Sequence, residues 1–284
     1  MKTLSYCALL IALLAVGCKK NDTPATPTTP TPPVTPVVKT EYLLKTVEPS
    51  HEDSILFLYD TGKVFLGVAV EYSYNSVPTM DSYFLENAGG VLQSINQGAD
   101  TTGAGTSILY GFEYGNTGKV NVSNYYLYGS PFSYDSIVYN ASGNISVVYS
   151  YSGNQTSTHV LSSVTTLTWD TSGDIVQVLQ GDSLNAISTN YTYQAVSTYD
   201  TYANPYVTVN AAFLLTVVNG YNWETLSKHN VTSTQVTVRD PGSLTSSTTS
   251  NTYTYTYDTY GNPSTAVIVT NPGGSVTQNF VYGH

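Results

Sequence analysis

The stretch Tyr253-Thr254-Tyr255-Thr256-Tyr257-Asp258-Thr259-Tyr260-Gly261-Asn262-Pro263 combines two patterns. Its first five residues alternate strictly, so on an extended chain the tyrosines share one face and the threonines the other. Asp258 and Gly261 then mark a reversal. An Asp side chain caps its own turn, and Gly supplies the positive-φ residue that lets a strand fold back. The stretch predicts a β-hairpin.

The same unit recurs along the chain. It appears around Tyr59-Asp60, Asn87-Gly90, Tyr114-Gly118, Tyr139-Asn140 and Trp169-Asp170-Thr171-Ser172-Gly173. Gly62, Gly90, Gly118, Gly143 and Gly173 are spaced 28, 28, 25 and 30 residues apart. A degenerate copy, Tyr199-Asp200-Thr201-Tyr202-Ala203-Asn204-Pro205, follows about one period later, with Ala where the glycine is due. One period is one hairpin, and such a unit buries its apolar face only against its neighbours. The expected fold is all-β: an antiparallel up-and-down meander of roughly 12–16 strands, curled or barrel-like, spanning 41–284 as one domain. Helical signal is confined to the apolar run 210–219, where at most one short helix is expected, the alternative being another apolar strand.

The Tyr/Trp-Asp-x-x-Gly-Asn/Asp units resemble the YD repeats of RHS-type proteins, whose strands curl into large sheets or shells. The order Tyr199-Asp200…Asn204-Pro205-Tyr206, then 226–232, then Tyr253…Pro263 is similar to a family of Bacteroidetes lipoproteins whose domain is described as porin-like. That resemblance implies an architecture and a location. It supplies no catalytic residues.

The N-terminus reads as an address. A short basic start precedes the apolar run 7–17, which suits a secretory signal and falls short of the roughly 20 residues of a membrane span. It ends at Ala15-Val16-Gly17-Cys18, followed by Lys19-Lys20-Asn21-Asp22. This resembles the lipobox of bacterial lipoproteins and implies a signal over 1–17 and acylation of Cys18. Residues 23–36 hold 6 Pro and 6 Thr in 14 positions, so 18–40 is expected to be an extended spacer. The expected location is the bacterial outer membrane, with the domain lipid-anchored on its periplasmic or cell-surface side.

Composition narrows function. Only 10% of the 284 residues are charged, against about 25% in an ordinary globular protein, and the formal net charge is −10. Residues 41–284 carry five basic side chains (Lys45, Lys63, Lys119, Lys228, Arg239) against eighteen acidic ones, so a nucleic-acid partner is not expected. Two cysteines, both in the first 18 residues, make no disulfide framework and no cysteine zinc site.

The four histidines (His51, His159, His229, His284) have no ligand spacing. Asp60, Asp170, Asp200 and Asp258 recur at one turn position and read as caps. Gly-x-Ser-x-Gly, Walker and dinucleotide motifs are lacking. No catalytic residue, metal ligand or cofactor is therefore expected, and the chain is not expected to be an enzyme. Asp53-Ser54-Ile55 and Asp135-Ser136-Ile137 resemble Bacteroidetes O-glycosylation sites.

The expected role is an interaction or structural surface for another envelope protein. The alternative is a glycan-binding lipoprotein that presents exposed tyrosine rows such as Tyr255 and Tyr257 to a polysaccharide. The threonine-rich second face is too polar for lipid contact, so 41–284 is expected to be soluble without detergent.

Overall fold

The computed structural model describes residues 42–48, 53–74, 77–98, 107–153, 158–182, 191–209, 211–215, 222–240 and 245–283. The segment 1–17, Cys18 and the spacer 18–40 lie outside the described residues, as do His51 and His284.

Sixteen strands run through the described residues. They are β1 Tyr42–Glu48, β2 Asp53–Tyr59, β3 Phe65–Tyr74, β4 Val77–Ala88, β5 Val91–Gly98, β6 Ser107–Tyr114, β7 Val120–Leu127 and β8 Ser130–Tyr139. The second half comprises β9 Ile145–Ser152, β10 Val160–Trp169, β11 Ile175–Gly181, β12 Tyr193–Ala203, β13 His229–Arg239, β14 Ser246–Tyr257, β15 Pro263–Asn271 and β16 Ser275–Gly283. Each strand pairs antiparallel with the next, and β1 pairs with β16 through Leu43↔Tyr282 and Thr46↔Phe280. The sheet is a closed barrel with no free edge, complete within residues 42–283.

The repeat builds one rim. At Asp60, Gly115, Asn140, Asp170 and Asp258 a backbone N–H bonds the carbonyl four residues on, leaving a three-residue loop. The third loop residue sits in the left-handed region at Gly118, Gly143, Gly173 and Gly261. The Asp and Asn side chains cap these loops: Asp60 accepts from Val64 N, Asn140 from Asn144 N, and Asp170 from Ser172, Gly173 and Asp174 N. In the first copy the glycine stands one position early. Lys63, with φ of 63°, takes the left-handed place there, contrary to the expectation for Gly62.

Six aromatic residues near strand ends have a second task. Tyr59 Oη donates to Leu43 O, Tyr114 to Leu92 O, Tyr139 to Val120 O, Tyr199 to Ile175 O and Tyr282 to Pro263 O, at 2.7–3.0 Å. Trp169 donates its indole N–H to Ile145 O. Each acceptor is the first or second residue of the preceding strand, so these strand ends are latched to the strand start beside them; Tyr257, before the Asp258 turn, donates to Asp200 instead. The period of about 28 residues is this latch repeated, and it calls for an aromatic ring with a polar tip.

The inner face of the wall is apolar, and the outer face mixes polar groups with exposed valines such as Val138, Val196, Val267, Val269 and Val281. Leu43, Phe57, Val68, Leu92, Ile95, Phe112, Ile137, Val148, Leu167, Val178, Ala195, Ala266 and Phe280 belong to one interior cluster. The opposite faces of β12–β15 are joined by hydroxyl pairs: Thr198 with Thr232 and Ser233, Thr237 with Thr248, and Thr256 with Thr265. Around β1–β7 the outer face carries the Lys45–Glu71 ion pair at 3.3 Å, Glu86 bonded to Ser94, and Glu113 bonded to Asn124.

Sixteen strands about 4.8 Å apart and tilted by about 40° would enclose a bore roughly 30 Å across, too wide for opposing side chains to meet. The segment between β12 and β13, described at 204–209, 211–215 and 222–228, fills one end. It includes a 3-10 turn Pro205–Thr208, an α-helical turn Ala211–Phe213 and a 3-10 turn Trp223–Leu226. Of the run 210–219, where a short helix is expected, Ala211–Phe213 form an α-helical turn, and 210 and 216–219 lie outside the described residues. Phe213, Leu214, Leu215 and Trp223 are buried. Phe213 meets Phe65 of β3 at 5.7 Å, and Tyr206 meets Phe57 of β2 at 6.2 Å, so the insertion crosses the lumen.

Candidate functional site: the cavity under the inserted segment

Asn204 starts the insertion and holds its ends together. Its Oδ1 accepts from Tyr206 N at 3.0 Å, which caps the turn that Pro205 opens. Its Nδ2 donates to Ser227 O at 2.9 Å and to Thr225 O at 3.3 Å, near the insertion's far end. Asn204 N donates to Lys228 O. The side chain is 5% exposed, so none of these bonds competes freely with water.

The clasped segment roofs a cavity of about 480 Å³ against the rim ends of β6–β10. Val120, Ile137, Ile145, Leu214 and Leu215 are its buried apolar walls. The Tyr114, Tyr139 and Trp169 rings also line it, but their polar tips are engaged by the latches, so they present carbon surface. Lys119 and Lys228 stand at the rim, and neither Asp nor Glu lines the cavity. Lys119 Nζ donates to Gly143 O and lies 4.8 Å over the Tyr139 ring. Burial pushes the Tyr139 phenol up, consistent with a poorly hydrated wall.

A second cavity of about 230 Å³ lies on the other side of the insertion, between Tyr206 and Glu224 and the wall residues Tyr253, Tyr255, Gln278 and Phe280. Burial pushes the Tyr206 phenol up to about 12, and it drives the Glu224 carboxyl above the usual glutamate range. The hydrogen bond from Ser197 Oγ to Glu224 Oε1, 3.1 Å, opposes that rise.

Of the sequence candidates, Asp170, Asp200 and His229 line one cavity of about 290 Å³ together with Asp174, whereas Asp60, Asp258 and His159 lie outside it. Asp60, Asp170 and Asp258 are turn caps, as the pattern requires. Asp200 is more than a cap. Its Oδ1 accepts from Tyr202 N and Asn230 N, and its Oδ2 from Tyr257 Oη and Asn230 Nδ2. Ala203 in place of the turn glycine was the signal that this copy differs.

His229 is held by the buried Asp174, with Nδ1 2.7 Å from Oδ2, and His159 packs edge-on against Tyr134. Among the described residues no group of three His, Cys, Asp or Glu is placed to hold a metal ion. Ser54 is 6% exposed and donates to Glu71, so its hydroxyl is closed to a glycosyl donor. The tyrosine row also needs correction. Tyr253, Tyr255 and Tyr257 face the interior, and the threonines between them are exposed, so β14 offers no exposed aromatic row. An alternating strand defines two faces without saying which one closes inward.

Among solved structures the chain is similar to a porin-like protein from Bacteroides uniformis, at 14% identity and a TM-score of 0.53. The match covers 86% of this chain and 97% of that one. The architecture is a porin-like barrel. A porin-like protein from Bacteroides vulgatus also matches, at 9% identity and a TM-score of 0.40, over 85% of this chain and 99% of that one. No protein-family model and no curated protein matches the chain.

Proposed function

We propose that the chain is a lipid-tethered, water-facing barrel of the bacterial outer membrane, serving as a non-enzymatic binding or scaffolding module. The observation that carries this reading is the polarity of the wall. A membrane barrel turns an apolar band about 25 Å tall toward lipid and keeps its lumen polar. Here Phe57, Ile95, Phe112 and Leu167 point into the barrel, while the Thr237–Thr248 and Thr256–Thr265 pairs and the Lys45–Glu71 ion pair lie outside. The porin-like shape is kept with an apolar interior and an outer face on which hydroxyls and charges stand among scattered exposed valines, and the described parts of the inserted segment, 204–209, 211–215 and 222–228, reach into the lumen where a channel would run. Such a barrel reaches a membrane only through another device, which is the role of Cys18 and the spacer 18–40. Two or three acyl chains suffice, at about 0.8 kcal/mol per buried methylene.

The test is Cys18→Ala in cells fed a palmitate analogue. Label lost from the protein, together with its release into the soluble fraction, is the expected result. Label retained by the variant would refute the anchor.

A further inference from the structure

We infer that the 480 Å³ cavity under the insertion binds a hydrophobic monoanion of the fatty-carboxylate class. Its volume lies within the roughly 300–1,000 Å³ of small-molecule sites. Its depth is hydrocarbon: Val120, Ile137, Ile145, Leu214 and Leu215 are all at most 8% exposed. Tyr114, Tyr139 and Trp169 have already used their donors on the backbone, Thr225 gives its hydroxyl to Asn222 O, and Tyr206 Oη accepts from Gln278, so the interior offers an alkyl chain far more contact than it offers a charged headgroup. The headgroup must therefore stay at the rim.

Charge at the rim chooses its sign. The folded part carries only five cations against eighteen acids, yet two of the five, Lys119 and Lys228, stand on this mouth with no carboxylate in the lining. Lys119 gives one N–H to Gly143 O, and an ammonium has two more to offer an anion. Val207, half exposed, adds an apolar lip beside them. An alkyl chain enters past that lip, and its carboxylate rests between the two ammonium groups.

The inference rests on the water-facing reading of the barrel, and the two fail differently. A chain 41–284 that stays insoluble without detergent sinks that reading before any ligand is added. A soluble chain that binds nothing sinks only this inference. Residues 41–284 are the material to use, since the barrel closes within them.

The probe is 12-bromododecanoate, whose bromine quenches tryptophan on contact. Trp169 is in the cavity wall. Saturable quenching is expected, with 12-bromododecylamine at least tenfold weaker. Lys119→Gln combined with Lys228→Gln should weaken the carboxylate about tenfold and abolish the preference over the amine. Ala212→Phe, which fills the cavity, should remove binding, and the double lysine variant carries the test if that one fails to fold. Quenching that does not saturate, equal response to acid and amine, or a preference that survives both lysine changes would overturn the assignment.

Discussion

Asn204 is the residue on which the inserted segment depends, and its replacement gives a graded prediction. Asn204→Ala removes the cap on Tyr206 N, a loss of about 1 kcal/mol. It also leaves the Ser227 carbonyl without its 2.9 Å partner, a further 1–3 kcal/mol for a buried acceptor. The expected total is about 2–4 kcal/mol. Asn204→Asp is the sharper variant. It keeps the acceptor for Tyr206 N but turns a second oxygen toward the carbonyls of Glu224, Thr225 and Ser227, all within 3.4 Å of the amide nitrogen it replaces. Aspartate should therefore destabilise more than alanine, although it is closer in shape.

Urea denaturation in a Trp169→Tyr background leaves Trp223, inside the clasped segment, as the fluorescent reporter. That background keeps the donor type found at the neighbouring latches. Circular dichroism follows the sheet in parallel. If the clasp secures the insertion, both variants lower the fluorescence midpoint, and aspartate lowers it further. Aspartate tolerated as well as alanine, or alanine costing less than about 1 kcal/mol, would refute the assigned hydrogen bonds.

The remaining predictions concern the rim and the buried acid. A Cβ on Gly118 meets nothing within 4 Å, so Gly118→Ala isolates the positive-φ penalty and should cost about 1 kcal/mol in urea denaturation. Lys63→Gly, at the matching place in the first copy, should change stability in the opposite direction and by less, because glycine carries its own entropy cost. Glu224 has a folded pKa above its unfolded value. Its contribution is thus intact below the ordinary glutamate value of about 4.3 and is lost as pH rises through the folded value. Glu224→Gln should accordingly gain on the parent between pH 4 and 8, measured as the difference in urea midpoint. A difference that stays flat with pH would contradict the burial assigned to that carboxyl.

Much of the fold was legible because it is local. The caps at Asp60, Asp170 and Asp258, and the alternation from Tyr253 to Tyr257, are set by residues a few positions apart. What was not legible depends on distant partners. The pairing of Leu43 with Tyr282 closes the barrel, yet neither strand marks the other as its neighbour. Period 2 separated tyrosine from threonine on β14, but the inward choice follows from closure around the insertion.

The latch explains why the repeat keeps Tyr or Trp before the turn, but its acceptors are backbone carbonyls, which carry no side-chain signature. The cavity was equally hidden. Leu214 and Leu215 read as a plain apolar run, and Lys119 and Lys228 stand 109 positions apart until the insertion folds across the lumen.

The central claim is that a porin-like wall here faces water with its hydroxyl and charged side and keeps its apolar side within. Residues 41–284, produced without the signal and Cys18 and purified with no detergent, test it most directly by sedimentation velocity together with far-ultraviolet circular dichroism. The account predicts a single sharp boundary from a soluble species with a β-sheet spectrum. A chain that aggregates in buffer and becomes monodisperse only in detergent micelles would contradict it.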